Sequence, residues 1–240
     1  MKKSICSLVA VLLILLLAGC SPNSHTGTNV SANELIVHYP YVGQGDSEIL
    51  QCGNQTMLID AGANDSTNVL IQDIKNLGIT RFDVVIATHP HEDHVGGMDA
   101  VIKEVDIGTV YMPDVTTDTV TFSDLLKALQ NKNLTPVHPQ PGTVFNLGNA
   151  QCTMLAPNSA TYTDLNNYSI VIRVVFGSNP FLFTGDAQTQ SETEMLAKNY
   201  NLKADVLKVG HHGSDTATSP AFLAAVNPKY AVIEVGAGND

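Results

Sequence analysis

The stretch Thr88-His89-Pro90-His91-Glu92-Asp93-His94-Val95-Gly96-Gly97 decides the fold reading. It follows directly on Phe82 to Ala87, an apolar-rich run that predicts a strand buried on both faces. The histidines therefore leave a sheet at the carboxyl end of a strand, where irregular backbone lets alternate and adjacent side chains converge. Three imidazoles with acidic neighbours inside six residues repel one another if charged, and each needs a partner if buried neutral. A divalent metal resolves both problems, and imidazole with carboxylate is a donor set suited to zinc or manganese. A second concentration, His211-His212, lies far along the chain. His25, His38 and His138 are isolated and read as tether, strand surface and loop.

Working outward, short apolar runs at Leu35 to Tyr39, Ser47 to Gln51 and Thr56 to Ile59 predict strands, with Cys52-Gly-Asn-Gln as the hairpin between the last two. Asn64 to Leu77 places Val69, Leu70, Ile74 and Leu77 at helical spacing and stops at Gly78. Helices are further expected at Met98 to Val105, Phe122 to Asn131, Gln188 to Tyr200 and Pro220 to Val226. Strands are expected at Thr109 to Met112, Thr143 to Phe145, Gln151 to Leu155, Ile170 to Phe176, Phe181 to Phe183, Asp205 to Val209 and Tyr230 to Val235. Hairpins beside βα units in both halves predict an α/β domain of two sheets with outer helices, rather than one doubly wound sheet. No short internal repeat is visible, and residues 34–240 read as one domain.

The 240 residues, 44% hydrophobic and 15% charged, exclude both a disordered chain and a polytopic membrane protein. Val9 to Ala18 is nevertheless continuously apolar behind Lys2 and Lys3, too short to span a bilayer as a helix and flanked like a secretory signal. It ends Leu17-Ala18-Gly19-Cys20, which resembles the bacterial lipobox. That resemblance implies a signal peptide over 1–19, lipidation at Cys20, a flexible tether over 20–33, and attachment to the extracytoplasmic face of a bacterial membrane. Without the leader the charge of −11 becomes −13, which disfavours a sequence-independent DNA binder without excluding phosphate-ester hydrolysis at a metal site. Cys52 and Cys152 lack metal or redox spacing and read either as a disulfide or as two buried thiols.

His89-Pro-His91-Glu-Asp93-His94 matches the HxHxDH signature of the metallo-β-lactamase-fold hydrolases. Leu58-Ile-Asp60-Ala-Gly62 and Phe183-Thr-Gly-Asp186 follow in the family's order, so residues 34–240 resemble that family throughout. Val42-Gly-Gln-Gly-Asp46-Ser, Asn166-Asn167-Tyr-Ser169 and Val206-Leu-Lys-Val-Gly-His211-His212-Gly-Ser214 narrow the resemblance to the hydrolase domain of ComEC-type DNA-uptake channels and their stand-alone relatives. The histidine segment of glyoxalase II and lactonases is replaced by Asn-Asn-Tyr-Ser, which favours phosphodiester over thiolester or lactone hydrolysis.

The resemblance implies a four-layer αββα sandwich and two divalent ions, Zn or Mn, sharing a bridging hydroxide. His89 and His91 would hold one ion with a histidine of the 211–212 pair. Asp93 and His94 would hold the second, and Asp186 would bridge both. Adjacency does not decide between the paired histidines; His211 is taken as ligand, leaving His212 with Ser214 and Asp93 to act on the phosphate or leaving group. Asp60 is expected behind a ligand imidazole. Asn166 and Asn167 either make a turn or orient substrate, and Asn167 is taken as the substrate contact. Gly43 and Gly45 are read as turn glycines and Asp46 as a turn cap.

In one respect the sequence departs from the pattern. ComEC-like domains continue into a Tyr-Gly-His-Pro ligand segment, a helix and a strand, whereas this chain reads Val235-Gly-Ala-Gly-Asn-Asp240. The last ligand, helix and strand are therefore expected to be missing. The function expected is a phosphodiesterase or nuclease-like metallohydrolase, its substrate a phosphodiester such as DNA, with no protein partner evident. The alternatives are a phosphorylcholine or other small phosphoester hydrolase, or a catalytically dead metal-binding surface lipoprotein.

Overall fold

The computed structural model describes residues 30–239. The expected leader, the expected lipidation site Cys20, His25 and most of the expected tether lie outside the described residues. Among those described, no helix is long and apolar enough to cross a membrane.

In the first half, β1 (Leu35–His38), β2 (Glu48–Cys52) and β3 (Gln55–Ile59) form an antiparallel meander. Helix α1 (Thr67–Asn76) returns the chain so that β4 (Arg81–Ile86) runs parallel to β3. Two short helices, α2 (Glu92–Val95) and α3 (Met98–Glu104), lead to β5 (Asp106–Tyr111), parallel to β4, and α4 (Val120–Asn131) covers this sheet. In the second half, β6 (Val144–Leu147), β7 (Ala150–Ala156), β8 (Val171–Phe176) and β9 (Asn179–Phe183) are antiparallel. Helix α5 (Thr189–Ala197), β10 (Val206–Lys208), α6 (Pro220–Val226) and β11 (Tyr230–Val232) complete it, with β9, β10 and β11 parallel.

The sheets are ordered β1-β2-β3-β4-β5 and β11-β10-β9-β8-β7-β6. Strands β1 to β5 and β7 to β11 thus repeat one pattern, a meander followed by two parallel additions, with β6 as an extra edge. The sequence shows no such repeat because what recurs is strand order rather than residues.

Strand alternation divides the core into three layers. Met57 and Ile59 of β3 face the second sheet, whereas Leu58 between them packs with Leu70, Ile74 and Met98 of the helices. In β8, Ile172 and Val174 face the first sheet and Val171 joins Met195, Phe222 and Val226 beneath α5 and α6. The order helix, sheet, sheet, helix is the four-layer αββα sandwich. Helices α4 and α6 are capped by side chains: the Thr119 and Ser219 hydroxyls accept from Phe122 N–H and Phe222 N–H at 3.3 and 3.4 Å, and α6 stops at a left-handed Asn227.

Differences from the expected elements have local causes. The first turn of the expected 64–77 helix is a separate 3₁₀ turn, Asn64–Ser66. Helix α5 ends at Ala197 because Asn199 takes a left-handed conformation that turns the chain. Pairing of β11 stops at Val232, and Glu234 turns inward. Helix α2, one turn inside the histidine motif, is too short to show a helical period.

Cys52 and Cys152 are free and buried between the sheets, and burial pushes the Cys152 thiol up to about 12. Alkylation should modify both only after unfolding; mass spectrometry finding a Cys52–Cys152 disulfide would contradict this arrangement.

Candidate metal centre

Four strand ends build the site. β3 runs into Asp60, β4 into Thr88 and the histidine motif, β9 into Gly185-Asp186, and β10 into the turn Gly210–Gly213. Because β3 and β4 are parallel, as are β9 and β10, each sheet delivers two carboxyl ends to one edge of the sandwich. Close backbone packing holds the motif there. A Cβ on Gly96 would stand 2.3 Å from Asn64 N and 2.6 Å from Ala63 C, so only glycine fits. Gly96→Ala should cost about 1–3 kcal/mol, read as a lower urea midpoint; an unchanged midpoint would contradict the packing.

Asp186 Oδ2 is the hub. It lies 3.1 Å from His94 Nε2, 3.6 Å from His212 Nε2, 3.8 Å from His89 Nε2 and 4.0 Å from His211 Nε2. Asp93 Oδ2 stands 3.1 Å from His212 Nε2 and 3.9 Å from His94 Nε2. His89 Nε2 and His91 Nδ1 face each other at 3.0 Å. Behind these atoms, Asp60 uses one oxygen to accept from Thr88 N–H at 2.8 Å. The other accepts from the Thr88 hydroxyl at 2.6 Å and from His94 Nδ1–H at 2.7 Å. That bond presents His94 Nε2 to the centre. Ser169 Oγ accepts from Asp186 N–H at 3.1 Å and lies 3.3 Å from His89 Nδ1.

The donor set fits divalent ions. His94 Nε2 and Asp186 Oδ1 are buried without any hydrogen-bond partner, and buried polar atoms of this kind ordinarily find one. Asp46, His94, Asp186 and His212 bring ligand atoms within 4.8 Å of one another. Asp46, however, meets the Nδ1 side of both rings, at 3.3 Å from His212 and 3.8 Å from His94, opposite the Nε2 atoms that converge on Asp186. It belongs behind the imidazoles.

The electrostatics fit as well. Burial and the neighbouring His94 hold His89 well below the usual histidine range. Burial opposes charge on His94 too, but Asp186, Asp60 and Asp46 prevail and hold it well above that range. For His212, Asp46 and Asp93 outweigh burial and push the imidazolium up to about 10. Both rings carry protons at pH 7 without metal, and ligation requires their neutral forms. Zinc loading at pH 7 should therefore release about two protons, and affinity should rise as pH climbs toward 10. Calorimetry in buffers of different ionisation enthalpy reads the release; none at all would contradict the assignment.

The structure brings His89, His91, Asp93, His94, Asp186 and His212 together, with Asp60 behind His94. His212 is buried, and its Nδ1 lies 2.9 Å from the Glu234 carbonyl. His211 is half-buried, its Nε2 3.3 Å from Asn166 Nδ2 and its Nδ1 2.7 Å from Thr216 Oγ1. Both take positive φ, 48° and 51°, a strained arrangement for consecutive non-glycine residues that sends their rings to different sides of Asp186. Ser214 Oγ is tied to Thr216, at 3.0 Å from its hydroxyl. The Asn167 amide oxygen accepts from Gln188 N–H and Ser191 N–H at 3.3 and 3.2 Å, holding the start of α5.

Three residues escaped the sequence reading. Asp46 is fully buried rather than capping a turn, Lys208 is fully buried against it, and Glu234 binds Ser47 N–H at 3.1 Å. Lysine between apolar residues in a predicted strand was the available signal. Beside the centre, near Pro113 and Tyr168, a groove of about 340 Å³ is lined by prolines, Asp114, His138 and Asn158 and by no Lys or Arg.

The chain is 29% identical over 82% of its length to ComE operon protein 3 of Bacillus subtilis, and 31% identical over 94% to competence protein ComA of Neisseria gonorrhoeae. It spans only 28% and 30% of those proteins. The metallo-beta-lactamase fold protein YhfI of Bacillus subtilis shares the fold at 14% identity with a TM-score of 0.59, over 86% of this chain and 89% of that one. The Metallo-beta-lactamase superfamily model matches residues 40–236, and with the fold and donor set above it follows that the chain belongs to the metallo-beta-lactamase superfamily.

Proposed function

We propose that this chain is a phosphodiester hydrolase with a dinuclear centre. The observation that carries the reading is Asp186 Oδ2 with four imidazole nitrogens within 4.0 Å, a carboxylate placed to serve two ions at once. His89, His91 and His211 would hold one ion, and Asp93, His94 and His212 the other. When bound, such ions supply an acidified water and neutralise charge on a phosphate oxygen. The residues' own part is to fix geometry: Asp60 sets the tautomer of His94, Ser169 anchors the Asp186 peptide, and Asn166 steadies His211.

Similarity to a protein named for competence, ComA of Neisseria gonorrhoeae, supports a nucleic-acid phosphodiester as substrate. The net charge of −11 and a neighbouring groove without Lys or Arg favour a short or small phosphodiester over a long polyanion. We place the enzyme on the extracytoplasmic membrane face, held by a lipid on Cys20; a mature N-terminus lacking diacylglycerol would refute that placement.

The test compares bis(p-nitrophenyl) phosphate, a short single-stranded oligonucleotide, phosphorylcholine and a chromogenic β-lactam, each with zinc and with manganese. The two phosphodiesters should turn over, while the β-lactam should not, since fold alone is no argument for it. Cleavage of phosphorylcholine alone would favour the small-ester alternative. Turnover of nothing, with His91→Ala unchanged in metal content, would overturn the hydrolase reading.

A further inference from the structure

We infer that Lys208 is a positioning residue for the metal centre, a covalently held cation that fixes the groups behind and beside the ligands. It rests on the reading of the centre as a metal site, and not on which ester is cleaved.

Lys208 lies on β10 and is fully buried. Its ammonium donates to Asp46 Oδ2, 162 residues away on the first sheet's side, and to the Gly185 carbonyl at 3.3 Å. The two bonds have different consequences. Asp46, held this way, stands 3.3 Å from His212 Nδ1 and 3.8 Å from His94 Nδ1, behind two rings whose Nε2 atoms meet at Asp186. Gly185 directly precedes Asp186, so fixing its carbonyl orients the hub carboxylate. The lysine thereby joins the two sheets at the one edge where their loops must agree.

Asp46, Glu48 and Glu234 also form a buried acidic group whose ligand atoms lie within 4.8 Å. The Lys208 ammonium already pairs with Asp46 there, and burial with Asp46 nearby pushes Glu234 up to about 8. A buried cation paired with one carboxylate is costly to break from one side only, because the partner is left charged and unmatched.

The test is zinc affinity, measured by competition with a chromophoric chelator on the full chain, beside a kcat and KM split on bis(p-nitrophenyl) phosphate. K208M should weaken zinc at least tenfold, with kcat falling more than KM and excess zinc recovering part of the turnover. D46N/K208M leaves no unmatched charge and keeps a side-chain acceptor beside His212 Nδ1, so it should bind zinc more tightly than D46A/K208M, which leaves that nitrogen the Glu234 carbonyl alone. Should K208M fail to fold, these two double variants carry the comparison. Unchanged zinc affinity in folded K208M, or equal affinity in the two double variants, would overturn the proposal. Loss of zinc affinity without turnover of any ester in the parent protein would leave the positioning role intact and sink the hydrolase reading alone.

Discussion

Asp186→Asn should lower phosphodiester turnover by more than 100-fold and reduce bound metal from two ions per chain to one. Asp186 Oδ2 lies within 4.0 Å of four imidazole nitrogens at once, and an amide keeps the shape while removing the charge that two cations would share. Removing a group that only supports a ligand typically costs 10–100-fold in affinity or activity, so losing the shared ligand should exceed that range. The fold should survive, because the Ser169 hydroxyl holds the backbone N–H of residue 186 and not its carboxylate. Turnover and metal content measured on one preparation check both claims. A variant retaining two ions and half its activity would show that Asp186 is not shared.

Asp60→Ala should act on stability and on metal together. The carboxylate is fully buried and satisfies Thr88 N–H, the Thr88 hydroxyl and His94 Nδ1–H. Alanine leaves those donors buried without acceptors, at roughly 1–3 kcal/mol each, and lacks the polar side chain that helps aspartate tolerate a φ of 53°. For three donors in a domain of this size that amounts to a Tm lower by roughly 6–36 °C. Zinc affinity should fall about 10–100-fold as His94 loses its fixed tautomer. Asp60→Asn, which tolerates the left-handed backbone and keeps one acceptor, should lose less of each. Calorimetry of metal-free protein separates the effects; an unchanged Tm would mean that Asp60 is not a buried acceptor.

The layered fold was legible because its strands are short apolar runs bounded by turn residues, and because the histidine motif follows one of them. Pro220 to Val226 reads correctly to the residue, since a serine cap, a proline at the first turn and a left-handed asparagine mark both ends. The histidines and aspartates that gather around Asp186 were legible as residue types at fixed spacing. Their supports were not. Asp46, Lys208 and Glu234 come together from positions 46, 208 and 234 only when the two sheets pack, and no local pattern encodes that meeting. Asn167 illustrates the converse: an amide beside the motif looks available to substrate, yet packing spends it on the first turn of α5. The paired histidines were ambiguous because successive residues diverge only through the left-handed turn that the backbone adopts there.

Metal content is the most direct test of the central claim that Asp186 is shared by two ions. The purified chain, stripped, reloaded with zinc or manganese and passed through a desalting column, should carry two ions per chain by elemental analysis. One tight ion, or none, would contradict the dinuclear centre and turn the account toward a metal-binding protein without this catalytic chemistry.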